Sequence, residues 1–304
     1  MKKLIGLVLI LALGAVVLFG YSVAGANDNG YSRGEATITE TVENLDIDWT
    51  AGRVTVAYHK DNTIRLEEKA KGNLSEDNKM RWQVQDKTLK VIFNKPGMIF
   101  NSCPEKELIV TLPEGMKWKT AKIGATSAEL AISSLEAEEA ILETTSGDAE
   151  ATVNAETVKA RSTSGNWRLT LEGKQKAAEI GSTSGVVDVK LARAEELKIS
   201  STSGGIRLDA DEVGKAELGV TSGNIFLSIG KFEDLKVSGT SSSVEAQLSS
   251  EPGFAGEITT TSGDVRTELA LRKDGSRYSC GDGSARLKIG TTSGDVTILE
   301  RAGN

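Results

Sequence analysis

Hydroxyls, carboxylates and one imidazole are the groups in this chain that could do chemistry. Thr-Ser-Gly occurs at Thr145, Thr163, Thr183, Thr202, Thr221, Thr261 and Thr292, with degenerate copies at Thr126-Ser127-Ala128 and Thr240-Ser241-Ser242. A rank of such hydroxyls could bind carbohydrate, a regular surface or ice. The structural alternative, adopted here, is that Ser and Thr beside Gly cap the backbone groups of their own turns. Asp follows the Gly only as Asp148, Asp264 and Asp295. Asp beside Gly is a calcium-ligand pattern in some β-repeats, but the short period and paired glycines that accompany it are absent. Gly181-Ser182-Thr183-Ser184-Gly185 has the outline of a nucleophile elbow, yet its centre is Thr and its flanks read strand-turn-strand instead of strand-turn-helix. His59 is the only histidine, so histidine triads and multi-histidine metal centres lack parts. A pair of acids could hydrolyse a glycosidic bond, but no pair is singled out. No catalytic, cofactor-binding or metal-binding residue is assigned.

The elements that hold these groups follow from spacing. From Thr126 to Thr261 the marker threonines recur every 18 to 21 residues, the signature of a repeat architecture. Apolar residues fall three and five positions before each threonine and four, six and often eight after it. At Thr221 these are Ala216 and Leu218, then Ile225, Leu227 and Ile229; at Thr292 they are Leu287, Ile289, Val296 and Ile298. Alternation with period two marks strands with one buried face, and Ser-Gly between two such runs supplies the turn. The position before each threonine is mostly small, as at Ala125, Ser162, Ser182, Ser201 and Gly239, which suits a flattened coil closing at that corner. The spacing predicts an all-β parallel β-solenoid, a single-stranded β-helix-like coil of about ten rungs of about 19 residues with two strands per rung. Glu136-Ala137-Glu138-Glu139 reads as a solvated second turn with room for a helical turn.

The template also fits Leu45, Ile47, Trp49-Thr50-Ala51-Gly52, Val54, Val56 and Tyr58. That makes His59 to Glu107 an excursion between rungs. A second excursion, Ala270 to Arg286, reads as a hairpin about Lys273-Asp274-Gly275 before the last rung. Both serve as covers for open sheet edges. The expected organisation is a signal peptide or membrane anchor over 1–26, a linker over 27–43, an N-terminal rung with its capping excursion over 44–116, and the solenoid over 117–304.

In the 304 residues, Lys2-Lys3 precede an apolar run from Leu4 to Phe19 that extends through Val23, and Ala24-Gly25-Ala26 offers a cleavage site. The chain is expected to be extracytoplasmic, either anchored in the membrane by residues 4–23 or secreted after cleavage following Ala26. A net charge of −7 makes nucleic acid an unsuitable partner, and no small-molecule cofactor is indicated. Cys103 and Cys280 fall near opposite ends of the rung series, so free thiols are expected, not a disulfide.

The apolar N-terminus, the Ser-Gly-Asp turns and the closing segment Gly281-Asp282-Gly283-Ser284-Ala285-Arg286-Leu287-Lys288-Ile289-Gly290-Thr291-Thr292-Ser293-Gly294-Asp295-Val296 resemble the bacterial β-strand-repeat family labelled "putative adhesin" or domain of unknown function. Within it the chain is similar to membrane-anchored LiaG-type envelope proteins. The resemblance covers roughly residues 40 to 300 and implies an envelope-stress accessory or adhesin without an established catalytic site, whose partner would be an envelope protein or a glycan. A β-helix enzyme acting on cell-wall or extracellular polysaccharide is the alternative.

Overall fold

The computed structural model describes residues 30–93 and 106–301; the apolar N-terminal segment and Cys103 lie outside them. Between successive Ser-Gly corners the chain is extended, as Ala149–Ser164, Trp167–Ser184, Val187–Ser203, Ile206–Ser222 and Ile225–Ser241. Each strand pairs in parallel with the next, in a register that sets Ile206 beside Ile225 and Leu218 beside Val237. Register therefore equals repeat, and like slots stack in columns. The inward columns merge into one apolar core. Among the described residues the helical structure is a single 3-10 turn, Glu76–Asn78, and no helix is long and apolar enough to cross a membrane.

Glu136 to Glu139 does not form a helical turn. It lies within the strand Lys117–Ser146, with Ala137 and Ala140 buried, because the coil bends there while keeping its rung-to-rung pairing. The longest regular coil, between Thr163 and Thr183, absorbs extra chain at this second corner. Its register slips between Leu171 and Lys174, Gly173 takes a φ of +75°, and Gln175 Nε2 donates to the Glu172 carbonyl at 2.6 Å. Core volume is balanced between neighbouring rungs: the buried Trp167 is paired with Ala149 on one side and Val187 on the other.

Exact stacking would also place identical surface charges about 4.8 Å apart, where they repel. The outward slots avoid this by changing sign from rung to rung. Arg161 meets Glu179 at 3.0 Å, Arg193 meets Glu212 at 2.8 Å, and Lys236 meets Glu217 at 2.8 Å. Exposed pairs of this kind add little stability each; their consequence is that few stacked neighbours are like charges, Lys174 beside Arg193 and Lys236 beside Lys288 being two that are.

The order of rungs at both ends differs from the order along the chain. The stretch between His59 and Glu107 is not wholly an excursion. Thr88–Phe93 and Lys106–Pro113 pair in parallel with the two halves of Asn44–His59 and form the outermost rung. Thr120 to Ile132 lies on the other face of Asn44–His59. At the far end, Ala285–Ser293 sits between Ile225–Ser241 and Gly253–Ser262, while Val296–Glu300 sits between Val244–Leu248 and Val265–Thr267. The first and last rungs in sequence are thus both internal in space. Periodicity cannot report this, since every parallel rung carries the same pattern.

Antiparallel segments cover the ends. Ile64–Ala70 lies over Lys106–Pro113, and Arg81–Gln85 over Thr88–Phe93. The expected hairpin is present as Arg272–Asp274 against Arg277–Gly281, turning at Gly275, and it packs on Gly253 to Glu257. A clamp at the first end joins three segments. Glu43 receives Lys87 and Lys119, each at 2.5 Å, and the hydrogen bonds from these ammonium groups hold its carboxyl down at about 2. Cys280 is free and buried in the second hairpin, where desolvation raises its thiol.

The glycines of the corner do more than allow a turn. A Cβ on Gly185 would lie 2.1 Å from the Gly165 carbonyl oxygen, and one on Gly204 would lie 2.0 Å from that of Gly185. Gly185 has a φ of +130°, whereas Gly204 is outside the left-handed region. Backbone stacking alone therefore requires glycine at 204. Gly204→Ala is expected to cost about 2–4 kcal/mol through overpacking against backbone, while Gly275→Ala, with open space around it but a φ of +62°, should cost about 1 kcal/mol through the backbone alone. Urea denaturation of the two variants checks the contrast; equal losses would mean that turn conformation, not rung contact, selects the glycine.

Candidate functional site

The Ser-Gly corner is the most regular surface of the molecule, and its hydroxyls are arranged differently from the capping expected above. Thr163, Thr183, Thr202, Thr221 and Thr240 are exposed on five consecutive rungs, and so are Ser164, Ser184, Ser203, Ser222 and Ser241 beside them. Backbone groups at the corner are satisfied by the ladder itself. Gly165 N donates to the Ser184 carbonyl at 3.2 Å, and Gly204 N donates to that of Ser222 at 3.0 Å.

The remaining capping is done one position later. Asp148 Oδ1 accepts from Asn166 N at 2.8 Å, Asn166 Oδ1 from Val186 N at 2.9 Å, and Asn224 Oδ1 from Ser243 N at 3.3 Å. Asp295 Oδ1 likewise accepts from Asp264 N at 2.9 Å. Where the residue after Gly is Asp or Asn it is therefore the cap, its side-chain oxygen reaching across to the next rung; Val186 and Gly205 hold that place without one. From Thr163 to Thr240 the marker hydroxyls are left facing solvent in two rows about 4.8 Å apart per step. The position after Gly, repeatedly Asp, Asn or Ser, was the signal for this ladder.

The same ladder accounts for the aspartates considered as calcium ligands. Asp148 holds its neighbour's amide, while Arg266 bridges Asp264 at 3.1 Å and Asp295 at 3.2 Å. Among the described residues no group of three or more His, Cys, Asp and Glu is placed to hold a metal ion. His59 Nε2 donates to the Thr63 carbonyl at 2.6 Å, and Nδ1 faces Asp61 at 3.3 Å, so the ring stabilises a strand end. In the sequence resembling a nucleophile elbow, Ser182 is buried and receives Ser162 Oγ at 3.0 Å, Thr183 is exposed, and strand precedes and follows the turn. A shallow groove at the opposite corner is lined by Lys174, Lys176, Arg193, Glu195 and Glu212. Its charges pair with one another or with adjoining rungs, as Lys174 does with Glu195 at 2.5 Å and Lys176 with Glu156 at 2.6 Å.

A buried charge lies under the first end. Lys106, wholly buried, forms an ion pair with Glu68, donates to the Asn78 carbonyl at 2.6 Å, and sits 3.4 Å from the centre of the Phe93 ring. Glu68 also accepts from Met80 N at 2.9 Å. The group locks the 3-10 turn onto the outermost rung. Its signal in the sequence is a Lys in an inward slot of the alternation Lys106, Leu108, Val110, Leu112.

Stacked parallel rungs with glycine corners and antiparallel covers define an all-β solenoid. The family model described as Toastrack DUF4097 matches residues 42–299, and the chain belongs to that family. Similar solved structures include a "putative lipid binding protein" from Parabacteroides distasonis, 14% identical with a TM-score of 0.51, covering 90% of this chain and 97% of that one. Others are a "putative adhesin" from Bacteroides fragilis (14% identity, TM-score 0.44, 88% and 97% covered) and one from Parabacteroides merdae (16%, 0.32, 90% and 97%). The first of these shares the fold. No curated protein matches the chain.

Proposed function

We propose that this protein is an exported, cell-envelope-associated binding module that works by contact and not by turnover. The observation that carries this reading is the pair of exposed hydroxyl rows from Thr163-Ser164 to Thr240-Ser241, which their own backbone does not use. Each hydroxyl is a weak donor and acceptor, but repetition at a fixed step turns weak contacts into useful avidity. Many wall acids, among them Glu139, Glu179, Glu212 and Glu217, are engaged in rung-to-rung pairs, an arrangement that suits a scaffold better than an acid-base couple. The apolar segment over residues 4–23 provides the route to the envelope, as anchor or as cleaved signal.

Cell fractionation and cross-linking of the full-length protein on intact cells test the proposal. The protein should be reached from outside the cell and should be retained by isolated envelopes. Replacing Thr202, Thr221 and Thr240 together by Val, which keeps shape and strand preference, should reduce retention several-fold without loss of folding. A cytoplasmic location, or retention unchanged in the triple variant, would sink it.

A further inference from the structure

The outward slot four residues after the corner serine is charged on most rungs: Glu150, Arg168, Asp188, Arg207, Glu245 and Arg266. At one rung it is Phe226, the exposed large hydrophobic side chain among the described residues, 41% accessible. Ile225 and Leu227 on either side point into the core, so Phe226 adds nothing to the interior and interrupts the charge alternation. The Arg207 guanidinium lies 6.0 Å from the centre of its ring. Arg207 makes no ion pair among the described residues, unlike Arg161, Arg168 and Arg193 on the neighbouring rungs.

The residues facing outward around the ring are mostly neutral hydrogen-bonding groups. Asn224 and Ser228 flank it along its own strand, and Ser243 and Gln247 hold the matching places on the next rung. An aromatic face ringed by amides, hydroxyls and a guanidinium matches a ligand with one apolar C–H face and a rim of hydroxyls. The acids nearest the ring are Glu245, directly beside it on the next rung, and Asp209 on the preceding one; Arg207 and Arg301, which meets Asp209 at 3.2 Å, offset them, so the patch offers a polyanion no net attraction. Rungs repeat at about 4.8 Å, comparable with one sugar residue in an extended polysaccharide, and the hydroxyl rows through Thr221 and Ser222 run parallel to that axis about 13 Å along the strand from the ring.

We infer that Phe226 and Arg207 form the anchoring subsite for a neutral polysaccharide chain, one sugar stacked on the ring and its neighbours running along the solenoid axis beside the hydroxyl corner. This rests on the binding role proposed above and names the ligand class for it. Titration calorimetry of the full-length protein in mild detergent with cellohexaose and with chitohexaose tests the assignment, with isolated envelopes assayed in parallel. The wild-type protein should bind a neutral hexasaccharide. Phe226→Ala should weaken that binding at least about tenfold, Phe226→Trp should retain it, and Arg207→Ala should weaken it several-fold, all with unchanged thermal stability because both side chains are exposed. Hexasaccharide binding unaffected by Phe226→Ala would overturn the location. Retention on envelopes without binding to either hexasaccharide, or retention abolished by protease treatment of the envelopes, would overturn the ligand class while leaving the binding role standing. Loss of both would remove the binding role itself.

Discussion

Removal of residues 285–304 is expected to release far more of the solenoid than the segment deleted. In a stack laid down in chain order, the last coil is a free end and its loss shortens the molecule by one rung. Here Ala285–Ser293 and Val296–Glu300 separate Gly253 to Thr267 from every other parallel rung. The deleted segment contributes Leu287, Ile289, Val296 and Ile298 to the core. Arg301 also reaches back to the Ala210 carbonyl at 2.7 Å and to Asp211 at 3.0 Å, tying the terminus to a distant rung. Without this segment, residues 253–283 have no parallel partner strand. Their amide protection should fall by about two orders of magnitude or more in hydrogen exchange, while residues 149–222 keep theirs. Retained protection over 253–283 would show that the hairpin and its neighbours hold that end alone.

Lys106→Met should destabilise the first end by about 3–5 kcal/mol, because it strands the Glu68 carboxylate in the interior with only amide donors. Converting the partner as well, in Lys106→Met with Glu68→Leu, should restore most of the loss, since a packed apolar pair can replace a buried ion pair. Urea denaturation followed by tryptophan emission reads the effect near Trp49, whose ring lies 5.1 Å from Lys106 Nζ. A double variant no more stable than the single one would mean that Lys106 acts through packing of its stem and not through its charge.

The alternation of Ile206, Leu208 and Ala210 or of Leu235 and Val237 fixes which side of a strand is wet, and the spacing of the threonines fixes how rungs align. Both are local properties, so the sequence alone determined the strands, the corners, the repeat length and the parallel register. The hairpin at Gly275 was legible for the same reason, through its turn residues. The fate of the marker hydroxyls was not. Whether Thr163 caps its own turn or faces solvent depends on which side chain reaches the next rung's amide, and Asp148 and Asn166 win that competition only once the rungs are stacked.

Phe226 was visible as an apolar residue in an outward slot, but its meaning required knowing that Arg207 lies beside it and that Asn224, Ser228, Ser243 and Gln247 surround it. Tertiary structure alone decided the order of the rungs. Thr88–Phe93 became the outermost coil and Ala285–Ser293 an internal one. Every rung presents the same hydrogen-bonding edges and the same apolar columns, so local pattern is equally content with any order. The choice among them is made by connections and covers, namely the antiparallel hairpins at each end and the single-copy contacts of Lys106 and Arg301, which no periodicity encodes.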